Sequence, residues 1–190
     1  FILTKHPVVT YHAIITLIPK TELAENELKA LLAYLNSSFP QLYIEAQARI
    51  TGMGVAALEV KHASEMPILN IKKLKQKDLE LLAFLFEELE AEARKIGGAD
   101  TSENVEKLWD TVIEKIDLEI TRTLKLPKEL AKSAKIMART MMKRRLQRAK
   151  EAAPEAIKGE EEPRLRPPKK PEKPPIKDIS VPLDRFLQVE

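Results

Sequence analysis

The sequence predicts an α+β fold: a small N-terminal β-containing recognition part, then a helical bundle of about three helices, then an extended proline-rich tail. Three observations predict it. Apolar residues alternate with a period of two within residues 8–18 and 55–60, the pattern of half-buried strands. From residue 78 onward they recur every three to four positions, as on core-facing helices. Eight of the thirteen prolines fall after residue 153. These shifts divide the chain into an α+β part over 1–74, a helical domain over 75–153 and a tail over 154–190.

In chain order, Phe1 to Thr4 reads as a short strand broken at Lys5-His6-Pro7, because proline lacks a donor and restricts its neighbour. Val8 to Ile18 is the main predicted strand, with Val9, Tyr11, Ala13, Ile15 and Leu17 on one face. Thr21 suits a helix N-cap, with Glu22, Glu25 and Glu27 at the positive end of the dipole. Leu28, Leu31, Leu32 and Leu35 follow at helical spacing. Asn36-Ser37-Ser38 interrupts, since such side chains favour caps and turns. Phe39-Pro40 restarts a helix through Ala48. Gly52 and Gly54 permit positive φ and close approach of another backbone or a ligand. Val55 to Val60 then reads as a strand.

A helix is predicted over Asp78 to Ile96, ended by Gly97-Gly98. Asp100-Thr101-Ser102-Glu103 has capping-box spacing for the next helix, whose stripe runs from Val105 to Ile120. A third helix, Pro127 to Ala153, carries Leu130, Ala134, Met137 and Met141 on its expected core face. Lys128, Lys132, Lys135, Arg139 and Lys143 form a parallel basic stripe. Its end, with Arg145 and Arg148, is expected to leave the core. The tail is too polar to offset its chain entropy, although Ile179, Val181, Leu183, Phe186, Leu187 and Val189 have the look of a docking motif.

Composition bounds the function. The chain has 190 residues and no cysteine, so neither a disulfide framework nor a cysteine zinc site is available, as in a reducing cytoplasm. No apolar run is long enough to span a membrane. The start at Phe1 reads as that of an excised fragment. Abundant Lys and Glu point toward a thermophile. Net charge is only +3, yet nine basic residues between Lys128 and Lys150 face one acid, Glu129. The basic element sits on an otherwise mildly acidic chain.

The run Leu31-Leu32-Ala33-Tyr34-Leu35-Asn36-Ser37-Ser38, then Tyr43, Arg49-Ile50-Thr51-Gly52-Met53-Gly54, Leu58 to Val60 and Met66-Pro67-Ile68 resembles the C-terminal target-recognition region of adenine-N6 DNA methyltransferases of restriction-modification systems. The helices resemble the extension of archaeal members. The resemblance implies duplex DNA as partner, a catalytic domain N-terminal to this region, and S-adenosylmethionine as cofactor of the parent enzyme. Neither a methyl-donor glycine loop nor an Asn-Pro-Pro-aromatic motif occurs in these 190 residues. No catalytic residue, metal ligand or cofactor is therefore assigned here.

Candidate DNA contacts are Arg49, Thr51, Gly52, Gly54, Lys61 and His62 around the glycine turn, where close approach allows base reading. Arg139, Lys143, Arg144, Arg145 and Arg148 are candidates for phosphate contact. Two other readings stand beside this one. One is a helical oligomerisation or assembly module with a docking tail, which would form a homo-oligomer. The other is a metal-dependent nuclease using Glu59 and Lys61.

Overall fold

The computed structural model describes residues 1–2, 15, 17–51, 54–98 and 101–158. The predicted strand at 8–18 falls almost wholly outside them, as does the tail from 159 with its docking motif. Helix accounts for 72% of the described residues, so the α+β class does not hold, and the helices number six rather than three.

Helix α1, Glu25–Leu35, starts four residues beyond the expected cap at Thr21. The Glu27 carboxylate accepts from the Ala24 N–H at 2.8 Å and so satisfies the entry of the helix. Helix α2, Ser38–Gln47, follows after the predicted break. The only sheet among the described residues is a hairpin of two-residue strands. Here β1, Arg49–Ile50, pairs antiparallel with β2, Ala56–Ala57, in the register Arg49↔Ala57 and Ile50↔Ala56.

The expected strand Val55–Val60 is the main misreading. Only two of its residues pair, and Val60–Glu65 is instead a one-and-a-half-turn helix, α3. A six-residue apolar alternation fits either period, and no third described strand offers Val60 a ladder. Tyrosine hydroxyls pin this segment from outside: Tyr43 donates to the His62 carbonyl at 3.0 Å and Tyr34 to the Pro67 carbonyl at 2.9 Å.

Helix α4, Gln76–Lys95, matches expectation to within two residues and lies along α1. Lys29 bridges the pair, reaching Glu25 at 2.7 Å and Glu87 at 2.5 Å. Gly97 and Gly98, at φ 81° and 114°, end it; their N–H groups close on the carbonyls of Arg94 and Ala93. Thr101 caps the next helix by accepting from the Asn104 N–H at 3.1 Å; Asp100 lies outside the described residues.

That next helix is one continuous rod: α5, Ser102–Leu108; a π turn over Trp109–Ile113; and α6, Glu114–Thr123. The π turn turns Trp109, Val112 and Ile113 into the core together, and Thr111 Oγ1 bonds back to the Lys107 carbonyl at 3.0 Å. Arg122 on α6 reaches Asp78 at the start of α4 at 2.7 Å, and Lys115 pairs with Glu88, so the two helices run antiparallel. The rod ends with the same closure as α4, but the residue in the left-handed conformation is Lys125, at φ 55°.

Helix α7, Lys128–Lys158, buries Ala131, Ala134, Ala138 and Met142. This face is rotated from the expected one: Leu130 and Met137 are 43% and 53% exposed. Alanines let the helix axis come close, and the dispersion gained along a close contact outweighs burial of two longer side chains. The far end of α7 does not leave the body at Met142, because Arg145, Leu146 and Ala149 still meet the hairpin.

A single cluster forms the core. It joins Leu32 and Tyr34 of α1, Leu82 and Phe86 of α4, and Trp109, Ile116 and Ile120 of the rod, with Ala138 and Met142 of α7. Residues on both sides of position 74 thus share one interior, and residues 1–154 form one compact unit. No described helix is long and apolar enough to cross a membrane.

Candidate nucleic-acid interface

Helices α5, π turn and α6 carry Glu106, Asp110 and Glu114, four residues apart. Helix α7 runs antiparallel and carries Lys135, Arg139 and Lys143 at the same spacing, so the two rows meet rung by rung. Lys135 reaches Glu114 at 2.7 Å and Asp110 at 3.0 Å. Arg139 reaches Asp110 at 2.7 Å and Glu106 at 3.6 Å, and its guanidinium lies 6.0 Å from the centre of the Trp109 ring. Lys143 reaches Glu106 at 2.8 Å. Hydrogen bonds from Lys143 and Lys135 hold the carboxyls of Glu106 and Asp110 below their ordinary pKa. Most of the predicted basic stripe is therefore neutralised within the chain.

Arg145 is committed more tightly. Its guanidinium forks onto Glu45 of α2 through Nε (2.9 Å) and Nη2 (2.7 Å), and Nη1 donates to the Gly54 carbonyl. The Glu45 side chain is 1% exposed and that of Arg145 13%. The bond to Glu45 raises the already high pKa of the guanidinium. The planar guanidinium places two N–H groups on the two oxygens of one carboxylate and a third on a carbonyl, a fork that a lysine ammonium cannot present. Gly54 sits at φ 73°, so close to α7 that a Cβ there would lie 2.6 Å from Ala149 Cβ. The glycine is needed both for its dihedral and for this approach.

The latch brings together two groups of candidates that are about 90 residues apart in sequence, the glycine turn and the end of α7. On the hairpin, Arg49 is exposed and its Nε stands 3.7 Å from Glu59 Oε1. Thr51 donates through both N–H and Oγ1 to the Val55 carbonyl, at 2.9 and 3.2 Å, and closes the turn. Gly52 lies outside the described residues. Lys61 is exposed on α3 rather than on a strand, and His62 beside it is half-buried, its Nδ1 enclosed without a hydrogen-bond partner. Glu59 precedes α3 and pairs with Arg49, so Glu59 and Lys61 do not share a strand edge.

On α7, Arg144 and Arg148 are exposed and meet no carboxylate among the described residues; Arg148 Nε donates only to the Arg144 carbonyl at 3.3 Å. Lys128, Lys132 and Lys150 are likewise outward and unpaired. Glu45, which holds Arg145, escaped sequence reading. Its one signal is an acid between Ile44 and Ala46 on a half-buried helix.

Two other carboxylates among the described residues are buried, both on α6: Glu119, which accepts from the Arg122 guanidinium, and Asp117. Asp117 of α6, 1% exposed, accepts from the Ser38 N–H at 2.8 Å and the Ser38 hydroxyl at 2.5 Å, and so caps α2 from across the core. Burial pushes its carboxyl up to about 6 despite those bonds. No family model matches the chain, and neither does any curated protein or solved structure.

Proposed function

We propose that the chain is a DNA-recognition module of an adenine-N6 DNA methyltransferase or type II restriction-modification protein, binding duplex DNA without catalysis of its own. The resemblance over residues 31–68 motivates the reading. The observation that favours it most is the latch, through which Arg145 draws the Arg49–Ala57 hairpin against the stretch of α7 that bears the unpaired Arg144 and Arg148. Those two arginines, with Lys150, would neutralise phosphates, while Arg49 and Lys61 reach toward bases. Arg139, Lys143 and Arg145 would position the surface rather than touch DNA. S-adenosylmethionine and the catalytic domain belong to the parent enzyme on this reading, as does a cytoplasmic setting.

Anisotropy of a labelled duplex, titrated with salt, tests it. Each phosphate contact contributes about 0.9 to the slope of log affinity against log salt. Replacing both Arg144 and Arg148 by Ala should lower the slope by about two, equally across sequences. Arg49→Ala and Lys61→Ala should instead flatten sequence preference. If the unaltered chain fails to bind duplex at low salt, the reading falls.

The exposed Leu130, Ile136 and Met137 on α7 favour a second reading, an assembly module. Sedimentation decides it: a homo-oligomer that dissociates in Met137→Glu supports assembly, and a monomer at all concentrations removes it.

A further inference from the structure

The end of the bundle remote from the hairpin carries positive charge that its own elements do not answer. Arg122, near the end of α6, holds Asp78 in the first turn of α4 at 2.7 Å. The chain then turns through Lys125 and starts α7 at Lys128. Around that bridge stand Lys75 and Lys77 at the start of α4, Lys125 in the turn, and Lys128 and Lys132 on α7. All five are exposed and meet no carboxylate among the described residues. The acids on these segments are mostly taken. Asp78 and Glu119 bind Arg122, and Glu80 accepts from the Gln76 amide at 2.7 Å. Among their described residues Glu129 is left free.

The contrast with the ladder is direct: Lys135, Arg139 and Lys143 on the same helix each have carboxylate partners. The free lysines also stand where they cost stability. Lys75 is the N-cap of α4 and gives it no side-chain cap, Lys77 lies in its first turn, and Lys128 opens α7. These are the positive ends of two helix dipoles, which disfavour a cation and favour an anion. Five like charges at such ends repel one another in the isolated chain and become favourable against a polyanion. All five are lysines, point charges on flexible stems rather than planar forks. That chemistry suits contact with phosphates, not the reading of bases.

We propose that this end of the bundle binds the phosphate backbone of a second stretch of duplex, without regard to its sequence. The proposal rests on the reading of the chain as a duplex binder and adds a second surface to it. From Lys128 to Arg148, α7 is about 30 Å long. The hairpin docks on the side of that helix at its far end, while the lysines surround the near end. A duplex held along the hairpin would have to bend sharply within about one helical turn to reach them, which is costly. The chain therefore bridges two duplexes, or two parts of one long molecule.

Two duplexes, each about two helical turns long, one carrying a donor dye and the other an acceptor, are mixed with the full chain at low salt. Bridging is expected to give energy transfer, which falls more steeply with salt than the binding of one duplex, because more phosphates are contacted. Lys77→Glu combined with Lys128→Glu should weaken bridging by at least about tenfold, since each phosphate contact is worth close to tenfold at about 0.1 M salt. Binding of a single duplex at the hairpin side, and its sequence preference, should stay as they are. Glutamate suits the first turn of a helix, so the unfolding midpoint of this variant should not fall, which separates a lost contact from a lost fold. The proposal is overturned if the unaltered chain binds one duplex and gives no energy transfer. It is also overturned if transfer survives the two substitutions, as it would if two copies of the chain did the bridging. Leu124 and Leu126 are 44% and 40% exposed at the same end. Loss of binding to phosphatidylserine vesicles in the variant, with no bridging by the unaltered chain, makes this a lipid surface and overturns the proposal. If the chain binds no duplex at all, the reading beneath it falls as well.

Discussion

Gly54 and Ala149 lie where a single atom decides whether the hairpin can dock. Gly54→Ala adds a Cβ 2.6 Å from Ala149 Cβ and an unfavourable positive φ, and is expected to cost about 3 kcal/mol in urea unfolding. Ala149→Gly in the same chain should recover the steric part and leave the dihedral part. Asp117 gives a second expectation at this scale. Its folded pKa, about 6, lies above the unfolded value of about 3.9, so between those values the folded chain holds a proton that unfolding releases. Its contribution to stability is therefore greatest below about pH 4 and is lost as pH rises through 6, by at most about 3 kcal/mol. Asn at this position can still accept from the Ser38 N–H and donate to its hydroxyl. Asp117→Asn should thus gain on the unaltered chain from pH 4 to pH 7, read as the difference between their unfolding midpoints. Neither Glu45 nor Asp117 was legible as a partner: each meets a group 79 or 100 residues away, and local pattern carries no such distance.

At the scale of elements, the sequence was most legible where helix and punctuation agree. Helix α4 and its stop at Gly97 were read to within two residues, because a long apolar stripe and a glycine pair admit one interpretation. The strand at 55–60 and the face of α7 were misread for different reasons. Six residues fit two periods, and an apolar stripe of alanines is outweighed on any hydropathy count by neighbouring Leu130 and Met137. The acids at 106, 110 and 114 were visible, but their pairing with Lys143, Arg139 and Lys135 required knowing that α7 returns antiparallel. The face assignment has a direct test. Ala138, fully buried, should lose about 2 kcal/mol on conversion to Leu through overpacking. Met137→Ala, half-exposed, should change stability by less than about 0.5 kcal/mol, both read by urea midpoints.

For the compact unit of residues 1–154, the division expected at position 74 meets a shared interior. Leu32 and Tyr34 pack with Leu82, Phe86 and Trp109 in one cluster. Chains cut at 74 and made separately should each show little protection in hydrogen exchange, while the uncut chain protects α1 and α4 to the same opening free energy. The α+β expectation failed at this scale because 72% of the described residues are helical and the hairpin is too short to define a layer. An isolated pair of two-residue strands is marginal without support; here the support is α7, delivered by Arg145. The candidate residues of the glycine turn and of α7 were both visible in sequence, but not that a guanidinium joins them.

Two helices, α4 and α6, finish with one hydrogen-bonding circuit, yet one turns through Gly97 and the other through Lys125. A side chain in that left-handed corner costs about 1–2 kcal/mol, and glycine's greater freedom when unfolded returns about 0.5–1 of it. Lys125→Gly should therefore raise the melting midpoint slightly, by about 0.5–1 kcal/mol of stability, with no change to either helix. The corner thus marks a place where the natural chain is less stable than its own architecture permits.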